Sequence, residues 1–249
     1  MKTREEIMER VRRHYGCAKQ KFGEENILGV FLYGSQNYHC DTANSDVDTK
    51  CILVPDLFHL AISPYEVKHL DVDGEVCECM TIMHMVDNWK KQNINFLEIM
   101  FTEFYIINPT FSHYWIEFIH QYREEIARYN MKRGLNSIAR QAMYTITQNP
   151  EDGKKIGNGV RLLDTLQKYI SGCRYQECII PTLGKRDLIR AFKNGSYPVP
   201  QEYGELLLRQ FEVLLEENED KVFPQNQFEL DDKLNQFILR LIEHRIKEI

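Results

Sequence analysis

Apolar residues recur along this chain with two different periods, and the change between them falls near residue 109. Residues 3–22 place Ile7, Val11, Tyr15 and Ala18 at helical spacing, and Gly23 follows as a stop. Two short continuous apolar runs come next, Ile-Leu-Gly-Val-Phe-Leu-Tyr at 27–33 and Cys-Ile-Leu-Val at 51–54, with the length and composition of buried strands. After a linking segment with Pro64 and the turn Asp71-Val72-Asp73-Gly74, alternation over 75–81 predicts a third strand, half exposed at a sheet edge. Helical spacing returns from Ile82 to Gln92, and Asn93-Ile94-Asn95 opens a further helical turn over 96–101. Beyond Pro109 strand signals nearly vanish. Helices are predicted at about 111–130, 134–148, 154–171, 185–194, 203–217 and 230–247, punctuated by Pro150, Gly172, Pro181, Gly195, Pro198, Pro200 and Pro224. The pattern predicts an α+β fold: a mixed sheet with flanking helices over 1–109, then an all-helical lobe over 110–249, with a ligand cleft between them.

The segment joining the two apolar runs carries the candidate chemistry. The first run breaks at Gly34-Ser35, and Ser45-Asp46-Val47-Asp48 leads into the second. Carboxylates at i and i+2 of an extended chain point the same way. Two like charges on one face repel unless a cation lies between them. Mg²⁺ is a natural partner, because it favours one or two carboxylates completed by phosphate oxygens. Gly34 lets the backbone approach a phosphate, and the Ser35 hydroxyl adds a donor. Together these parts read as a metal–triphosphate site; the plainer alternative is a hairpin whose acids solvate a turn.

The ordered combination of Gly34-Ser35, a spacer and Asp46-x-Asp48 between two apolar strands resembles the signature of the DNA polymerase β-like nucleotidyltransferase superfamily. The resemblance implies that the first lobe is a polymerase β-like nucleotidyltransferase lobe, and it implies a third carboxylate on a neighbouring strand. Glu78, set between Cys77 and Cys79, is favoured over Glu75, which lies nearer the turn. Asp46, Asp48 and Glu78 are then the expected catalytic and metal-holding residues, with Mg²⁺ or Mn²⁺ as cofactor and Gly34 and Ser35 binding the nucleotide. The segment 93–101 and the stretches Val160-Arg161-Leu162-Leu163 and 186–195 are similar to the RNA-ligase-associated, RNA-repair-linked branch of that superfamily, with Ile94 where proline is usual and Cys51 where glycine is common. Branch resemblance implies transfer of NMP from an NTP to a hydroxyl acceptor with release of pyrophosphate. RNA, such as a tRNA or an RNA end, is the first acceptor; a protein side chain (AMPylation) or a small molecule is the alternative, as is a non-catalytic nucleotide-binding module.

In the helical half, Lys154, Asn158 and Arg161 share one helix face while Val160, Leu163 and Leu166 take another. That polar face either binds the triphosphate or is an ordinary solvated surface. Lys132, Arg133 and Arg140 are a weaker candidate, read as surface charge or an acceptor-binding rim. Lys50 shares the face of Asp46 and Asp48, where it pairs with a carboxylate, reaches a phosphate or points to solvent. His39 and Cys40 lie in the spacer loop, where a lid or base-contacting role competes with plain solvation.

Composition narrows these readings. The net charge is −6, which argues against coating duplex nucleic acid by bulk electrostatics but leaves room for a local basic groove. Seven cysteines, an odd number spread through predicted strands and helices, fit reduced and buried thiols. The one-residue spacing of Cys77 and Cys79 is wrong for structural zinc and right for packing on one face of a strand. No apolar run approaches the roughly 20 residues needed to span a bilayer, and the charged start of the chain lacks a signal-peptide core. The expected setting is cytoplasmic, without a membrane partner.

Overall fold

The computed structural model describes residues 2–200, 202–220 and 227–247. Five strands form one mixed sheet: β1 (Ile27–Leu32), β2 (Thr49–Leu53), β3 (Val67–Val72), β4 (Glu75–Thr81) and β5 (Tyr105–Ile107), in the order β3-β4-β2-β1-β5. β2 runs antiparallel to β1 and parallel to β4, with Lys50 opposite Glu78 and Cys51 opposite Cys79. Every residue of β1 is buried, as its unbroken apolar run demands, because both faces of the sheet are covered.

One face is covered by α1 (Arg4–Phe22), which begins with a capping box between Thr3 and Glu6. Its Ile7, Val11 and Ala18 pack with Val30, Leu32, Val47, Cys51, Cys77 and Cys79. The cysteines are all free thiols, and these three are packed among apolar residues. The opposite face is covered by α3 (Ile82–Lys90), the short helix α4 (Ile94–Leu97), and α5 (Pro109–Ala127), with Trp89 and Trp115 at its centre. The Phe31 and Trp115 rings pack at a tilt with centroids 4.5 Å apart, so truncating either ring would cost about 3–5 kcal/mol.

The helical part comprises α6 (Met131–Gln148), α7 (Gly153–Ile170), α8 (Tyr175–Ile179), α9 (Leu183–Lys193), α10 (Tyr203–Glu216) and α11 (Gln227–Lys247); α2 (Leu57–Ile62) lies earlier, between β2 and β3. Helix α7 is central, packed against α6, α8, α9 and α10. Gly153 permits its closest approach, since a Cβ there would lie 2.1 Å from the Phe192 carbonyl oxygen. The apolar cluster beneath the sheet continues through Ile138 and Leu166 to Phe211 and Leu241, so sheet and helices share one core.

The chain is therefore α+β, a mixed sheet with helices followed by a helical C-terminal part. Two details differ from the pattern reading. The third predicted strand, β4, is interior and not an edge, because the linking segment supplies β3 as its antiparallel neighbour. The residues of β3, Val-Lys-His-Leu-Asp-Val, are mostly exposed or half-buried, which left no apolar signature. Among the described residues no helix is long and apolar enough to cross a membrane.

Candidate active site

The turn after β1 depends on Gly34, whose φ of +94° lies in the left-handed region. A Cβ there would meet nothing within 4 Å, so backbone conformation and not crowding calls for glycine. The spacer loop is pinned from within. The Cys40 amide donates to the Ser35 carbonyl at 2.9 Å, Asn37 Nδ2 to the Leu32 carbonyl at 2.9 Å, and Thr102 Oγ1 to Asn37 Oδ1 at 2.6 Å. Ser45 Oγ accepts from the Thr42 amide at 2.9 Å, so its position before the first aspartate serves the turn. Gln36 Nε2 holds the Asp46 carbonyl, and the Tyr33 amide donates to the Asp48 carbonyl at 3.1 Å, prolonging the β1–β2 pairing.

Asp46 and Asp48 thus stand on the extended lead-in to β2, just before the strand proper begins at Thr49. Alternation still holds there: Val47 is buried, Asp46 exposed and Asp48 half-buried. Both aspartates line a cavity of about 510 Å³, together with Gly34 and Ser35. The facing wall comes from α7 and α9 and includes Lys154, Lys155, Asn158, Arg161 and Lys193. Residues more than a hundred positions apart, selected for separate chemical reasons, so meet in one space of ligand size. A smaller recess of about 190 Å³ between α5 and α11 is lined by Phe118, Phe237, Lys233 and neighbours, away from the aspartates.

The cationic wall is built differently from a solvated face. Asp152 caps α7 by accepting from the Lys154 and Lys155 amides at 2.8 and 3.2 Å. Asn158 does not project freely; its Oδ1 accepts from Arg161 Nε and Nη2 at 3.0 and 2.9 Å, fixing the guanidinium. Arg161 is 3% exposed, lies over the Tyr38 ring at 4.3 Å, and keeps Nη1 buried with no hydrogen-bond partner among the described residues. Lys193 Nζ donates to the Cys40 carbonyl at 2.9 Å, tying α9 to the spacer loop. Burial lowers the pKa of that ammonium, and Lys154 adds to the shift.

The sheet side carries the opposite imbalance. Burial raises the pKa of Asp48, and the carboxylates of Asp46 and Glu75 add to it. The Val76 amide, donating to Asp48 Oδ1 at 3.3 Å, and Lys154 act against that rise. Among the described residues neither Asp46 nor Asp48 is in an ion pair.

Neither candidate for the third carboxylate lines the cavity. Glu78 lies on the sheet face of Lys50 and is bonded by it, and it does not line the cavity. Lys50 is itself buried, beneath the rings of Tyr33 at 4.2 Å and Phe96 at 4.3 Å, so it reaches neither solvent nor the cavity. Glu75 turns to the other face, where its Oε1 accepts from Arg10 and from the Val47 amide, with His14 Nε2 3.6 Å from Oε2. Among the described residues no group of three or more His, Cys, Asp or Glu side chains comes together as a metal site. Asp46 and Asp48, two carboxylates on one cavity wall, are the residues that could hold a divalent cation.

The amide of Gly34 also departs from expectation. It donates to Glu98 Oε1 at 3.1 Å, so it is not free to meet a phosphate. Ser35 remains the donor of the pair on the cavity wall. Sequence reasoning passed over Glu98 as a chemical group because it sits among apolar residues of a helical turn, and passed over Lys193 because nothing local marks it. His39 and Cys40 do not line the cavity: His39 is exposed, and Cys40 is buried with its thiol pushed up to about 11. Lys132 and Arg133 are used elsewhere, on the carbonyls of Glu219 and Lys90. No family model matches the chain, and no curated protein matches it.

Proposed function

We propose that the protein is a polymerase β-like nucleotidyltransferase that moves NMP from an NTP to a hydroxyl acceptor, with RNA as the acceptor. The observation that carries this reading is the single cavity shared by Gly34, Ser35, Asp46 and Asp48 on one wall and Lys154, Asn158 and Arg161 on the other. An acidic pair opposite a cationic helix face is the charge arrangement a metal-bound triphosphate requires.

In this reading Asp46 and Asp48 hold one divalent cation, Mg²⁺ or Mn²⁺. When bound, that ion supplies charge neutralisation of the phosphate oxygens and geometric alignment. Ser35 donates a hydrogen bond to the polyphosphate. Lys154 and Arg161 neutralise its tail, with Asn158 keeping the guanidinium in place. The acceptor oxygen attacks the α-phosphorus, the bond to the bridging oxygen breaks, and pyrophosphate leaves with the electron pair. Rate in such a reaction comes from alignment and charge rather than from a covalent protein group, which suits a cavity without a nucleophilic triad.

One observation favours a second reading. Because Lys50 neutralises Glu78, and Asp152 caps α7, only Asp46 and Asp48 offer the cavity a carboxylate where the superfamily resemblance implies three, as in a nucleotide-binding module without transfer. The acidic net charge also keeps a protein acceptor in view. Incubation with each labelled NTP, Mg²⁺ and either total RNA or lysate separates these outcomes. Label in RNA supports the first reading, label in protein supports AMPylation, and binding without transfer supports the module. Transfer that survives Asp46→Ala with Asp48→Ala would refute the assignment.

A further inference from the structure

Glu98 is 2% exposed and contacts the Gly-Ser turn directly, yet it belongs to neither wall of the cavity. Its Oε1 accepts the Gly34 amide, and its Oε2 is buried with no hydrogen-bond partner among the described residues. Arg161, which does line the cavity, mirrors it with a buried and unpartnered Nη1. A half-satisfied buried carboxylate and a half-satisfied buried guanidinium are each costly. The charged and titratable groups that face Glu98 are Lys50 from β2, Arg161 from α7, Tyr33 and Tyr38 from the motif loop, and Tyr175 from α8. The hydroxyl of Tyr175 is also buried without a partner.

We propose that Glu98 is a positioning residue for the phosphate-binding end of the cavity: it fixes the Gly34-Ser35 turn through the Gly34 amide, beside the Arg161 guanidinium that Asn158 holds with one nitrogen free for a polyphosphate. This inference rests on the nucleotide reading above and deepens it. Without ligand, Glu98 is the counter-charge of Arg161. On binding, the polyphosphate takes the free Nη1 while Glu98 keeps the turn. The Glu98 anion and the incoming phosphates then repel one another across Arg161, so ionisation of Glu98 weakens binding even as its oxygen maintains the turn. Burial pushes the Glu98 carboxyl up to about 7, which brings that ionisation into a measurable range.

The test compares Glu98→Gln and Glu98→Ala with wild type in Mg·ATP binding, in transfer, and in the NMR shift of the Gly34 amide. Wild type is expected to lose about three- to tenfold in Mg·ATP affinity between pH 6 and pH 8 relative to Glu98→Gln, whose profile is flat after shared titrations cancel. Glu98→Gln keeps the acceptor for Gly34 and so keeps kcat within about threefold, whereas Glu98→Ala loses about tenfold or more in kcat/KM. The Gly34 resonance titrates with Glu98 in wild type and stays still in Glu98→Gln. Parallel pH profiles, a fully active folded Glu98→Ala, or a Gly34 resonance indifferent to pH would each overturn the proposal. If Glu98→Ala does not fold, the glutamine variant and the resonance still decide. If wild type binds no nucleotide, the functional reading fails while the Gly34 resonance still judges the link between Glu98 and the turn.

Discussion

Four carboxylates stand on the lead-in to β2 and along its neighbour β4, and they meet opposite fates. Glu75 and Glu78 each have a cation: Arg10 bonds the first and Lys50 the second. Among the described residues Asp46 and Asp48 are in no ion pair, although Asp48 is half-buried and its pKa is raised by that burial and by its acidic neighbours. The protein thus neutralises the acids it uses for structure and leaves bare the two that line the cavity. Unneutralised charge beside a ligand-sized space is a poor structural choice, because folding gains nothing from it. Under the proposed function it is a place kept for a cation.

The sharpest way to break this contrast is to remove the bare pair. Asp46→Ala with Asp48→Ala should lower transfer by about a thousandfold or more, since metal-held charge stabilisation is worth several kcal/mol. The same variant should unfold at a temperature equal to or a few degrees above wild type, about 1–3 °C, because repulsion is relieved. A labelled-NTP assay and a thermal melt check both halves. Next in size is the opposite wall. Arg161→Met should weaken Mg·ATP binding by about ten- to a hundredfold by calorimetry, the loss of a buried charge-assisted contact.

Glu78→Gln sharpens the contrast from the neutralised side. It removes the counter-charge of a buried Lys50 and should cost roughly 1–3 kcal/mol in denaturant unfolding, while transfer per folded molecule stays within about tenfold. A loss as deep as that of the aspartate pair would instead make Glu78 part of the machinery. The smallest effect concerns pH. Because burial raises the Glu98 pKa to about 7, the folded state holds its proton more tightly than the unfolded chain does. The stability this contributes is present in full below about 4.5, the ordinary glutamate value, and is lost as pH rises through about 7. Glu98→Gln lacks that loss, so its stability should gain on wild type by roughly 1–3 kcal/mol between pH 5 and pH 8.

Much of this arrangement was legible in the sequence. The apolar runs of β1 and β2, the alternation of β4 and the long helices announce themselves because burial imposes a period on them. The spacing of Lys154, Asn158 and Arg161 likewise gave the face that reaches the cavity. What could not be read depends on register and on long-range partners. That Lys50 faces Glu78 follows from the parallel pairing of β2 and β4, which no local pattern encodes. The strand β3, polar and at the sheet edge, has little apolar surface to mark it. Glu98 looked like one more polar residue in a helical turn, and only the folded chain brings it to Gly34. Local chemistry found the two walls; the pairing of charges behind them needed the fold.

The account turns on Asp46 and Asp48 being kept bare for a cation that arrives with a polyphosphate. Titrating Mn²⁺ by electron paramagnetic resonance, with and without ATP, into wild type and into Asp46→Asn with Asp48→Asn tests this directly. The account predicts Mn²⁺ binding to wild type that ATP strengthens and that the double variant loses. Equal binding by both proteins, or none by wild type in the presence of ATP, would contradict it.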